Sequence, residues 1–143
     1  MADGPGYTLK LRRLLRAKIE ENASRGYPNE SCGLLIGGFN EGETVVASVT
    51  AALNLNTERS RDRYVLDPDD FARADRLAAA RGLDVVGIWH SHPDHPAEPS
   101  QTDLNAAWPG YSYVIVSVAM GRAQTIRSWR LIDGWFEEER LEL

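Results

Sequence analysis

An α/β domain, with a buried sheet covered by helices, is the fold class that this chain predicts on three observations. Apolar residues recur at helical spacing in two segments, around Leu11 to Ile19 and Phe71 to Ala78. Each segment is followed by an apolar run of strand length, Ser31 to Phe39 and Leu83 to Trp89. The second run is apolar without alternation, as a strand covered on both faces requires. At 143 residues the chain is near the size of one domain, and roughly 68–70% of its unfolded surface is buried on folding at that length, so residues 1–143 are read as one domain.

In chain order, Leu11, Leu14, Leu15 and Ile19 lie among Arg12, Arg13, Arg16, Lys18, Glu20 and Glu21 as on an amphipathic helix, which Gly26 and Pro28 end. Ser31 to Phe39 and the β-branched run Thr44 to Ala52 form a hairpin about a turn at Gly42. The polar stretch Asn54 to Arg63 is a surface loop. Asp67 fits a helix N-cap and Pro68 the first helical position, and that helix buries Phe71, Ala74, Leu77 and Ala78 before stopping at Gly82. The strand Leu83 to Trp89 ends at His90, where a proline-rich loop takes over. Tyr111 to Ala119 is a further buried strand, and Ile126 to Ile132 pairs with Trp135 to Leu141 around Asp133-Gly134. No repeat, low-complexity segment or second domain is present in this pattern.

Sixteen Lys and Arg against 21 Asp and Glu give a net charge of -5, which argues against sequence-independent nucleic-acid binding, since that depends on a basic face. Small molecules or proteins are the expected partners. The lone Cys32 excludes an intrachain disulfide, and Met1 to Gly6 lack the basic and apolar regions of a secretory signal, so the expected address is the reducing cytoplasm. No apolar run approaches the roughly 18 residues of a membrane helix.

All three histidines lie in His90-Ser91-His92-Pro93-Asp94-His95, shortly before Ser100-Gln101-Thr102-Asp103. Imidazoles at i and i+2 of an extended segment point to one side and can grip one ion, and a carboxylate returning from beyond supplies a third ligand. Three protein ligands leave a position open for water, the mark of a catalytic rather than a structural zinc. Ser100 to Asp103 by itself reads first as a helix capping box, with Ser100 as N-cap and Asp103 at N3; the nearby His90 and His92 raise a ligand role for Asp103, and both roles can coexist. The string His90 to His95 also matches the His-x-His-x-Asp-His motif of metallo-β-lactamases, but that family needs later histidines and His95 is the last.

The wider pattern resembles the JAMM (MPN+) zinc metalloproteases, also called Mov34/MPN/PAD-1, whose signature is an upstream Glu, then His-x-His-Pro, six residues and Ser-x-x-Asp. Glu30 within Tyr27 to Gly37, then His90, His92, Ser100 and Asp103, stand in that register. Arg63-Tyr64-Val65-Leu66-Asp67-Pro68 and Ala107 to Tyr113 look like the small bacterial branch. The resemblance implies a mixed sheet flanked by helices, a three-layer arrangement likened to cytidine deaminases. It implies that His90, His92 and Asp103 bind Zn²⁺ with water as fourth ligand, that Glu30 takes the water's proton and passes it to the leaving amine, and that Ser100 donates to the oxyanion. It further implies hydrolysis of a peptide or isopeptide bond after the C-terminal tail of a ubiquitin-like or sulfur-carrier protein ending in Gly-Gly. Polyubiquitin specificity is not expected, because the long insertions of eukaryotic deubiquitinating relatives are missing.

Competing readings stand beside these. Without the family register Glu30 is a solvated turn residue. His95 could replace Asp103 as a ligand, yet Pro93 and Pro96 restrict its loop, which makes it a rim residue. Asp94 and Glu98 are exposed loop carboxylates able to meet a basic group on a substrate. Cys32 is read as buried packing and not as a ligand, and Trp89 and Trp108 as core or groove walls. The alternatives for the whole chain are a non-catalytic MPN scaffold that binds partners, or a small zinc amidohydrolase acting on a non-protein substrate.

Overall fold

A computed structural model describes residues 6–143; Met1 to Pro5, within the segment read above for a secretory signal, lie outside the described residues. Among the described residues seven strands and three helices follow in the order β1 (Thr8–Lys10), α1 (Arg13–Gly26), β2 (Cys32–Asn40), β3 (Glu43–Ala52), α2 (Pro68–Ala80), β4 (Asp84–Pro93), α3 (Gln101–Ala106), β5 (Ser112–Ala119), β6 (Arg122–Ile132) and β7 (Trp135–Glu142). The strands hydrogen-bond in the order β1-β3-β2-β4-β5-β6-β7 and close into a barrel, because β1 pairs with both β3 and β7. The sheet is mixed: β4–β5, β1–β3 and β1–β7 are parallel and the other pairs antiparallel.

Helices cover both faces, and the alternation of β2 shows how. Leu35 joins the α1 residues Leu15, Ile19 and Ala23 in one core, whereas its neighbours Leu34 and Ile36 join Ala74 and Ala78 of α2 in the other. Successive side chains of a strand point to opposite faces, so a strand between two helices must be apolar at consecutive positions, as Leu34, Leu35 and Ile36 of β2 are. Gly33 interrupts that run for a steric reason: a Cβ there would collide with the Trp89 indole and the Thr50 carbonyl. The mixed sheet between helices agrees with the expected three-layer α/β class.

Local signals were realised where they were read. The Asp67 side chain accepts from the Asp69 N–H at 2.9 Å with Pro68 at the start of α2. Asp133 (φ 51°) and Gly134 (φ 85°) form the tight β6–β7 turn, and Glu41-Gly42 and Met120-Gly121 repeat that left-handed pair in the other two hairpins. α1 ends at Gly26. The 54–66 connection is a loop with one bridge, Asn54 to Leu66.

Four expectations are corrected. The strand expected to end at His90 runs to Pro93, because β5 lies parallel alongside and pairs with Gly87 through Pro93, so both histidines sit in regular strand. Leu77 is 54% exposed and Leu14 62%, since each is turned about 100° around its helix from its buried neighbour, Ala78 and Leu15 respectively. β1 was not expected, as its three residues carry no β pattern and form a strand only by lying between β3 and β7. β6 starts at Arg122, ahead of Ile126. Among the described residues no helix is long and apolar enough to cross a membrane.

Candidate metal centre

His90 and His92 project to the same side of β4, as the period of a strand requires, and are 1% and 6% exposed. Asp103 comes from the first turn of α3. There Ser100 Oγ accepts from the Asp103 N–H at 3.0 Å and the Asp103 carboxylate accepts from the Ser100 N–H at 2.9 Å, so the capping box is real and also fixes the carboxylate. The three side chains converge: His90 Nε2 lies 3.2 Å from His92 Nε2 and 3.3 Å from Asp103 Oδ1, and His92 Nε2 lies 3.1 Å from Asp103 Oδ2.

Those separations fit a metal. A tetrahedral ion with bonds of about 2.0–2.1 Å sets neighbouring donors about 3.3 Å apart. His92 donates its Nδ1–H to the Pro96 carbonyl at 2.9 Å, which leaves the Nε2 lone pair free to face a cation. Tyr64 stacks on the His90 ring with centroids 4.5 Å apart and 25° between planes, holding its orientation. Two imidazoles and a carboxylate make a borderline donor set of the kind zinc takes. Among the described residues the cluster comprises His90, His92 and Asp103, without Cys32 or His95.

Glu30 immediately precedes Ser31, whose backbone is anchored to Ser91 between the two histidines: the Ser31 N–H donates to Ser91 Oγ at 2.8 Å and the Ser91 N–H to the Ser31 carbonyl at 3.0 Å. Glu30 is 7% exposed, and its Oε1 and the Nδ1 of His90 are buried with no partner among the described residues. A cavity of about 350 Å³ has Glu30, His92 and Ser100 in its walls together with Arg63 and Thr102. Burial pushes the Glu30 carboxyl up to about 8, against the pull of His92 and with help from the charges of Asp103 and Asp62. Burial also lowers His90. At Asp103 burial acts upward, but hydrogen bonds from His90 and His92, the charge of His90 and the Ser100 N–H override it and hold the carboxyl far below its usual range. At His92 burial acts downward and is outweighed by Asp103 and the Pro96 carbonyl, which raise it.

The remaining sequence candidates fall outside the cluster. His95 is exposed, on the wall of the same cavity, and its carbonyl accepts from Ser117 Oγ at 2.7 Å. Asp94 accepts from the Tyr27 hydroxyl at 2.9 Å, and Glu98 pairs with Arg127 at 3.2 Å. Cys32 is buried with Sγ 3.7 Å from the Leu53 carbonyl, and burial lifts its thiol to about 12. Trp89 is core, donating to the Thr50 carbonyl at 2.9 Å. Trp108, 67% exposed, walls an apolar cavity of about 580 Å³ with Tyr64, Leu66, Phe71 and Asp103. Nothing in the sequence around Tyr64 marks it as the ring that stacks on His90, since that contact joins residues distant in the chain.

With this geometry in hand the family can be assigned. Residues 12–132 match the family described as prokaryotic homologs of the JAB domain. The chain belongs to that family. Its relatives include the desampylase of Haloferax volcanii, 37% identical over 74% of this chain and 75% of that protein, and the CysO-cysteine peptidase of Mycobacterium tuberculosis, 33% identical over 95% and 91%. The fold of this JAB-family chain is similar to the solution structure of a protein from Desulfitobacterium hafniense, with a TM-score of 0.82 and 28% identity over 93% of this chain and 90% of that one. A Salinibacter ruber protein solved in solution is similar at 41% identity and a TM-score of 0.71, over 93% and 89%.

Proposed function

We propose that this chain is a zinc metallopeptidase that cleaves the peptide or isopeptide bond after the C-terminal tail of a ubiquitin-like or sulfur-carrier protein, in the cytoplasm. The observation that carries the reading is the pairing of a convergent His90, His92 and Asp103 donor set with a buried Glu30 oxygen that has no partner of its own. The names of the relatives, desampylase and CysO-cysteine peptidase, support a small protein modifier as substrate. A scaffold without activity has no need to keep three metal donors and a buried carboxylate in one cavity.

His90, His92 and Asp103 would hold the ion, which supplies a Lewis acid for the scissile carbonyl and lowers the pKa of water from 15.7 to about 7. Glu30 accepts the proton of the attacking water on a carboxylate oxygen and returns it to the leaving nitrogen. Glu30 is buried in a cavity wall that it shares with His92 and Ser100, which keeps that carboxylate beside the donor set and largely away from bulk water. Ser100 Oγ accepts from the Asp103 N–H, which leaves its own O–H to donate to the carbonyl oxygen as charge develops there. The apolar cavity between Tyr64 and Trp108, bordered by Asp103, would take the substrate tail on the acyl side.

Purified protein should carry about one zinc per chain, and it should cleave a modifier fused through a Gly-Gly end to a reporter peptide. Chelation should stop turnover and added zinc restore it. Full activity in protein shown to be free of metal would overturn the reading.

A further inference from the structure

We propose that Asn54 is a positioning residue that holds Glu30 in register with the metal donors. Asn54 follows β3 at the head of the 54–66 loop, and its side-chain amide makes four hydrogen bonds. Nδ2 donates to the Glu30 carbonyl at 3.1 Å and to the Arg63 carbonyl at 3.0 Å; Oδ1 accepts from the N–H of Asn56 at 2.9 Å and of Val65 at 3.0 Å. Four is the full capacity of an amide, two donors and two acceptor sites. The orientation of the group is settled by its partners, because two carbonyls accept only from the nitrogen and two N–H groups donate only to the oxygen.

These bonds reach both limbs of the loop and, across the chain, the one residue read as proton acceptor. Glu30 lies outside regular structure, since β2 begins at Cys32. Its N–H donates to the Ser60 carbonyl, and Ser60 Oγ donates to Asn29 Oδ1 at 2.8 Å, so the 54–66 loop clamps Glu30 at both of its peptide groups. Its carboxylate makes no hydrogen bond among the described residues and Oε1 is buried without a partner, so the clamp on the backbone is what aims it. Ser91 anchors Ser31 to β4 from the other side. Asn54 thus joins the Glu30 backbone to Arg63, which lines the cavity shared by Glu30 and His92, and to Val65 next to Tyr64, which stacks on His90.

The inference rests on the reading of Glu30 as the proton acceptor. Displacement of a catalytic group by about 1 Å can cost on the order of 100-fold in rate. Asn54→Asp keeps the acceptors for Asn56 and Val65 and removes both donors. In the zinc-loaded full chain it should lower kcat about 10- to 100-fold with KM within about threefold, and with zinc content unchanged because the ligands stand on β4 and α3. In a Glu30→Gln background the same change should leave the residual rate within about twofold, as expected of a residue that acts through Glu30. If Asn54→Asp does not fold, Asn54→Ser removes the same reach without adding charge and carries the same test. Wild-type kcat in the variant, loss of zinc together with rate, or a full further loss in the Glu30→Gln background would each overturn the role of Asn54. Wild-type turnover in Glu30→Gln alone would instead overturn the catalytic reading beneath it.

Discussion

Ser100 and Asp103 complete each other: the Ser100 N–H donates to Asp103 Oδ2 at 2.9 Å, and that same oxygen lies 3.1 Å from His92 Nε2. One carboxylate therefore starts a six-residue helix and faces the histidines. The short helix has no buried residue of its own, so its cap carries much of its order.

Ser100→Ala should lower stability by about 1 kcal/mol through loss of the cap, and kcat by about 100- to 1000-fold through loss of an oxyanion donor. Ser100→Thr keeps the hydroxyl and should recover most of the stability. Urea denaturation and steady-state kinetics separate the two effects; unchanged kcat in the alanine variant would remove Ser100 from the chemistry.

Glu30→Gln should retain zinc and lose activity by about 100- to 10,000-fold. The metal-free protein offers a second readout. With the folded pKa raised from 4.5 to about 8, the folded state keeps a proton that the unfolded chain has released. Stability therefore falls as pH rises through that window. Glu30→Gln removes this slope, so its thermal stability relative to the parent should rise from pH 5 to pH 8, by a few kcal/mol at most at about 1.4 kcal/mol per pKa unit. Zinc should shrink the difference, since a nearby cation favours the carboxylate. Parallel pH curves would show that burial does not perturb Glu30.

His92→Ala should lose both zinc and turnover, whereas His95→Ala should keep the metal, because His95 lies outside the convergent set. Metal analysis of the two purified variants decides the point. A fully metallated His92→Ala protein would make His95 a ligand.

Cys32 should resist alkylation in the folded chain. Burial lifts its thiol to about 12, which disfavours the reactive thiolate, and the residue is 1% exposed. Mass spectrometry after iodoacetamide treatment should show no adduct until denaturant is added. Rapid labelling of native protein would contradict the packing.

Much of the fold was legible because its signals are local. Asp67 and Pro68 start α2, Asp133-Gly134 turns the last hairpin, and the alternation of His90 and His92 follows from one strand period. Leu14 and Leu77 are apolar yet exposed, because the angle a residue occupies on its helix, relative to the face that packs on the sheet, decides its burial. β1 and the closure of the barrel carried no local trace, being pairings of a three-residue segment with β3 and with the last strand, β7, both distant in sequence. Tyr64 and Asn54 were illegible for a related reason: a stacked ring and a saturated amide take their meaning from partners distant in sequence.

By itself, the sequence singled out His90, His92 and Asp103 as candidate donors, determined the caps that start α2 and α3, and showed the register of Glu30, His90, His92, Ser100 and Asp103 that resembles the family signature. Tertiary structure decided that these residues meet. Cys32 pairs with His90 across β2 and β4, which delivers Glu30 to the histidines, and the 54–66 loop folds back to clamp it there. Caps and strand periods are written within a few residues, whereas a register between separate strands is chosen by the burial of both faces at once, and only the folded sheet expresses that choice.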